Sequence, residues 1–168
     1  MSKIQRRRFL QASGAVLVAG AFAGCNDENG DPDPNGDDPE PDGDPAPDDV
    51  DAYLSDNNAN LYDGTIEDET GQDSITIMNG AGDNGLAYDP PAVRIDAGTT
   101  VTWEWTGEGG AHNVVSADES DFEFESDDGQ LIDEAGHTFE FTFDEPGTAF
   151  YICTAHAAVG QHGAIVVE

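Results

Sequence analysis

From Val50 onward, apolar and polar residues alternate in short runs separated by Gly, Pro, Asn and Asp. Residues 99–106 place Val101, Trp103 and Trp105 on one face and Thr100, Thr102 and Glu104 on the other, the period of a half-buried strand. Residues 137–143 repeat the pattern, with Phe139, Phe141 and Phe143 inward and Thr138, Glu140 and Thr142 outward. Further strand-like runs lie at 74–79, 92–95, 112–116, 147–153 and 163–167. Residues 51–60 read as a loosely helical or irregular lead-in, with Tyr53, Leu54 and Tyr62 free to pack as a flap. No stretch holds a 3.6-residue period over three turns. Short strands without crossover helices predict an all-β fold, a two-layer antiparallel Greek-key sandwich spanning residues 51–168. Roughly 118 residues suffice for one such core.

The first fifty residues follow other rules. Residues 26–49 hold eleven acids and six of the nine prolines, with no large apolar side chain. Such a segment cannot offset the entropy of ordering, so residues 25–50 are expected to form a disordered tether. An EF-hand-like pattern inside it (Asp31, Asp33, Asn35, Gly36, Asp42) is crowded by Pro32, Pro34 and Pro39 and reflects the Asp-rich composition. Residues 1–24 are basic and then apolar, too short a run to span a bilayer, and read as a signal peptide. Arg6-Arg7-Arg8-Phe9-Leu10 resembles a twin-arginine export signal. Phe22-Ala23-Gly24-Cys25 resembles a lipobox, with Phe22 where leucine is usual, which makes Cys25 the expected lipid-attachment site and the outer face of the cell membrane the expected location.

Charge narrows the partners. The formal net charge is −31, and without residues 1–24 Arg94 is the sole Lys or Arg against all 36 acids. Repulsion excludes nucleic acid as a partner at low salt. A domain without lysine looks like the proteins of extreme halophiles, where molar salt cuts the screening length to about 3 Å.

The chemistry concentrates in the last eighteen residues, YICTAHAAVGQHGAIVVE. Cys153 is the only cysteine besides Cys25, and a lone thiol in an exported protein needs a metal or a core around it. His156 follows three residues later, and Gln161 stands eight residues after Cys153. His112, after the Gly109-Gly110 turn, is the best candidate for a second imidazole. A His₂Cys set with a weak axial group suits one copper ion that changes valence with little rearrangement. The same set with an oxygen donor would also suit zinc. At the fourth position, Gln161, His162 or an empty axial side all stay open.

Residues 53–168 resemble the halocyanins, archaeal relatives of plastocyanin among the cupredoxins. The resemblance lies in YDGTIEDETG, in DPPAVRIDAGTTVTWEWTGEGGAHNVVS and in FYICTAHAAVGQHGAIVVE. It implies that His112, Cys153 and His156 are the equatorial ligands and that Asn113 braces the ligand loops. It also implies a monomeric one-electron carrier, serving membrane respiratory or other redox proteins, with His156 near the surface as the electron's door. Two departures stand out. Ala155 replaces a proline that usually stiffens the loop, and Gln161 replaces the axial methionine. An enzyme of the copper oxidase or nitrite reductase kind needs a second metal cluster, for which four histidines are too few. Copper delivery favours methionine-rich or Cys-x-x-Cys ligands, and Met78 is the only methionine after the first residue. A copper site binding a small molecule lacks an acid or base in the motif to act beside it.

Overall fold

The alternation of residues 99–106 becomes a strand in which Val101, Trp103 and Trp105 are at most 1% exposed, in a computed structural model that describes residues 43–168. The expected leader, Cys25 and most of the expected tether lie outside the described residues. The strands are β1 (Asp44–Pro45), β2 (Thr65–Asp68), β3 (Ser74–Ala81), β4 (Ala87–Asp89), β5 (Ala92–Ile95), β6 (Thr99–Trp105), β7 (Val115–Ser116), β8 (Thr138–Phe143), β9 (Gly147–Ile152) and β10 (His162–Val167), with one helix, α1 (Asp48–Asp56). They form two sheets, β1-β2-β5-β10-β9-β7 and β4-β3-β6-β8.

The two-layer β-sandwich expected from the pattern is therefore the fold, but its sheets are mixed. β2 with β5, β5 with β10, and β3 with β6 pair in parallel, and the remaining pairs are antiparallel. After β3 and β4 the chain crosses to the other sheet for β5, then returns as β6 beside β3 in the same direction. Local alternation reports which face is buried and carries no information on strand direction.

Between the sheets lies the main core, built on Trp103, Trp105, Tyr88, Tyr151, Phe143, Ile77, Ile95 and Ile165. A second apolar cluster covers the outer face of the six-stranded sheet. There α1 sets Val50 and Leu54, four residues apart on one side of the helix, against Ile66, Ala92, Phe150 and Ala164. Asp48, Asp49 and Asp51 fill its first turn, where carboxylates suit the positive end of the helix dipole. The lead-in expected to be loosely helical is thus a regular helix for nine residues, too short for its period to stand out in the sequence. Among the described residues the first element starts at Asp44, upstream of the expected boundary at residue 51. Among the described residues no helix is long and apolar enough to cross a membrane.

Arg94 joins this sheet electrostatically. From β5 it reaches Asp44 at 3.4 Å, Asp68 at 3.8 Å and Glu168 at 3.3 Å, with its own side chain 18% exposed. The three carboxylates come from separate stretches of chain, so the single cation ties β1, β2 and the chain end together. Arg94→Gln should lower stability by about 1–2 kcal/mol in dilute buffer, above a typical exposed pair because three acids lose one partner. The loss should shrink in ~2 M salt. Urea titrations of both proteins at the two salt concentrations measure it; an equal loss at both would mean that the packing of the Arg94 stem, and not its charge, is at stake.

Candidate metal centre

β9 and β10 place the ends of the terminal loop side by side. Cys153 directly follows β9 on the inward phase shared with Ala149 and Tyr151, and is fully buried. Its N–H donates to the Gln161 carbonyl, while its carbonyl accepts from the N–H groups of His156 and Ala157. These bonds curl the chain so that the His156 ring turns back over the sulfur, with Nδ1 3.4 Å from Sγ. His112 arrives from the other side of the sandwich, its backbone bridged to Ile132 and its carbonyl accepting from Trp105 Nε1.

The polar atoms converge. His112 Nδ1 lies 2.8 Å from Gln161 Oε1 and 3.2 Å from His156 Nδ1, which is itself 3.1 Å from the same oxygen. The candidate ligand atoms of His112, Cys153 and His156 all fall within 4.8 Å of one another. His112 and Gln161 are fully buried, and His156 is half-buried at the surface.

Hydrogen bonds outside the cluster decide which atoms face it. His112 Nε2–H donates to the Glu108 carbonyl at 2.8 Å, which leaves the lone pair on Nδ1 pointing inward. The close approach needs Gly80, whose φ is +88°; a Cβ there would lie 2.8 Å from the Glu108 oxygen and 3.2 Å from His112 Nε2. Gln161 Nε2 donates to Asn79 Oδ1 at 2.8 Å, so Oε1 is the end turned to the cluster. Burial works against a charge on either residue, yet contacts reverse both effects. Cys153 is held below the usual thiol range by hydrogen bonds from His112 and from the N–H groups of Asn113, Ala155 and His156. His112 is raised by its bonds to Cys153, Glu108 and Gln161. Those bonds put a proton on His112 Nδ1 where a cation would sit; without it, the imidazole nitrogens and the amide oxygen face each other as acceptors beside a thiol that favours its anion. Such a set is stable around a cation, and the soft thiolate with two imidazoles fits copper.

The remaining expected residues fall into place around it. Asn113 Nδ2 donates to the Gly129 carbonyl and to Thr154 Oγ1, and its Oδ1 accepts from Thr154 N–H at 2.9 Å. It therefore links the His112 loop to the Cys153 loop. His162 does not join the cluster. It begins β10 on the face toward α1, where Tyr53 OH donates to Nδ1 and Nε2–H donates to the Ala157 carbonyl, each at 3.0 Å. His137, just before β8, is half-buried edge-on to Trp105 and bonded to Asp127.

Three contributors had escaped the motif reading: Asn79, the Glu108 carbonyl and Asn60. Asn60 donates its amide to the carbonyls of Val159 and Leu86 and its backbone N–H to that of Gly160, strapping the ligand loop to the segment after α1. At Gly160, with φ +92°, any side chain would collide with the Asn58 carbonyl. The strap takes up bracing at the end of a loop that carries Ala155. A backbone carbonyl leaves no trace in a motif, but Asn79 was marked by its phase with Ile75 and Ile77 on β3.

Residues 75–168 match the family of copper binding proteins described as plastocyanin/azurin. The halocyanin of Natronomonas pharaonis is 54% identical, over 100% of this chain and 100% of the relative. The plastocyanin of Scenedesmus fuscus is 33% identical, over 56% of this chain and 99% of the relative. A solved oxidised plastocyanin from Dryopteris crassirhizoma is 21% identical over 56% of this chain and 100% of its own, with a TM-score of 0.46. The strap and α1 lie upstream of the family match.

Proposed function

Because the chain belongs to the plastocyanin/azurin family of copper-binding proteins, we propose that it is a blue copper electron carrier. In this reading His112, Cys153, His156 and Gln161 hold one copper ion, and Asn113 braces the loops that carry them. A copper ion held there supplies a one-electron couple between Cu(I) and Cu(II). The observation that carries the reading is the convergence of two imidazole nitrogens and an amide oxygen beside Cys153, with the outer atoms of His112 and Gln161 already committed to Glu108 and Asn79.

The residues divide the work. Burial of Cys153, His112 and Gln161 keeps water from the centre, and the bracing bonds hold the donors in one arrangement for both valences. His156 sits half-buried at one end of the sandwich, bordered by Ala157, Ala158 and the 55% exposed Val159. That small apolar rim lets a redox partner approach the His156 ring through the brief, weak contact a shuttle needs. Residues 1–24 act as the export signal, Cys25 carries the lipid, and the stretch between Cys25 and β1 tethers the copper domain, which the sequence places at 51–168 and the structure extends back to Asp44, to the outer face of the membrane. At about 3.1 Å per residue the stretch before β1 would reach up to ~55 Å. Membrane respiratory or other redox proteins are the donors and acceptors, and the protein works as a monomer and not as an enzyme.

One spectrum tests the carrier. The copper-loaded protein should show the intense visible band of a copper–thiolate bond, bleach on adding one electron equivalent and recover on reoxidation. A colourless protein that takes up zinc and cannot be reduced would replace the carrier reading with zinc binding.

A further inference from the structure

We infer that Asn79 is a positioning residue for the copper centre: its side-chain oxygen holds the Gln161 amide so that the oxygen end, and not the nitrogen end, faces the ligands. The inference rests on the reading of Gln161 as a copper ligand and adds what makes it one.

A glutamine amide has one accepting end and one donating end, about equal in size. Which end faces a metal is decided by what the other end finds. Here Gln161 Nε2 donates to Asn79 Oδ1 at 2.8 Å, with both residues fully buried. The main chain of Asn79 is itself held, since its backbone carbonyl accepts from Thr106 N–H at 2.9 Å. It stands on β3 in phase with Ile75 and Ile77, where an apolar side chain would continue the core face. Its own Nδ2 is buried without a hydrogen-bond partner among the described residues. A buried amide that satisfies only one of its ends is costly in a sandwich core. The contact its oxygen makes accounts for its presence.

Without that oxygen, Gln161 Nε2 would be buried and unpaired. Before metal binds, the lone pair of His112 Nδ1 is then the nearest remedy, because it already lies 2.8 Å from the other end of the amide. The amide would turn over and present N–H groups, which repel a cation. The oxygen donor, and with it the preference for Cu(II), would be lost while the fold stays.

A double-mutant cycle tests this. Asn79→Leu should lower the preference for Cu(II) over Cu(I) about tenfold, in the range of substitutions behind a metal ligand. For a one-electron couple that is a rise of about 59 mV in the reduction potential. In a Gln161→Met background, where there is no amide to orient, the same Asn79→Leu change should move the potential far less. Equal shifts in the two backgrounds, or no shift in the first, overturn the role of Asn79. A Gln161→Met change that leaves the potential in place instead overturns Gln161 as a ligand. The zinc-loaded wild-type protein provides a measurement that needs no variant to fold. Its Gln161 side-chain amide protons should exchange at least ~100-fold slower than those of an exposed glutamine and show a nuclear Overhauser contact to Asn79. Exchange at the exposed rate overturns the proposal.

Discussion

Gln161→Met should raise the reduction potential by at least ~60 mV, a tenfold change in the relative binding of the two valences. An amide oxygen is a harder donor than a thioether and favours Cu(II), so exchanging it for sulfur shifts the balance toward Cu(I). The change is sterically mild. Gln161 is fully buried, and methionine is an unbranched side chain of similar length that adapts to irregular space. It does leave Asn79 with neither polar end paired, so the metal-free variant should also lose about 1–3 kcal/mol of stability. The two effects separate experimentally, because voltammetry reads the first and denaturation of the metal-free proteins reads the second. A potential that stays put or falls would overturn the claim that Gln161 is the axial ligand.

Dilution from ~2 M to ~0.1 M salt should lower the thermal midpoint of the domain by ~10 °C or more, equivalent to a few kcal/mol. The chain carries 36 acids, and past residue 24 Arg94 is the only Lys or Arg. At ~0.1 M the screening length is about 10 Å, long enough for neighbouring surface carboxylates to repel; at ~1 M it is about 3 Å. Concentrated salt also strengthens apolar burial, so the series should be compared with Arg94→Gln. If repulsion governs, the variant's midpoint should depend on salt more steeply than the wild type's, since Asp44, Asp68 and Glu168 lose their shared cation. Circular dichroism melts across the salt series measure both slopes. A midpoint independent of salt would overturn the halophilic reading.

Much of this domain is written in local periods. Val101, Trp103 and Trp105 are buried because a strand turns every second residue to one face, and any reader of residues 99–106 can see that phase. Helix α1 hid from the same reading because nine residues offer only two inward positions, Val50 and Leu54. The parallel pairing of β3 with β6 hid as well, since direction is a property of the path between strands.

The sequence by itself determined the terminal Cys153 and His156, three residues apart, because one turn of loop brings such a pair together whatever lies around it. It also determined the alternating strands and the acidic surface, which are sums over local residues. Only the tertiary structure decided the rest of the centre. His112 comes from 41 positions before Cys153, measured by the separation that Asn113 bridges to Thr154. Gln161 turns inward and His162 toward Tyr53 because the phase of β10 sends adjacent side chains to opposite faces. Asn79, 82 residues from Gln161, meets it only because the two sheets pack face to face. Spacing can nominate the donors of a metal site, but the atom each one presents is set by hydrogen bonds between segments far apart in the chain.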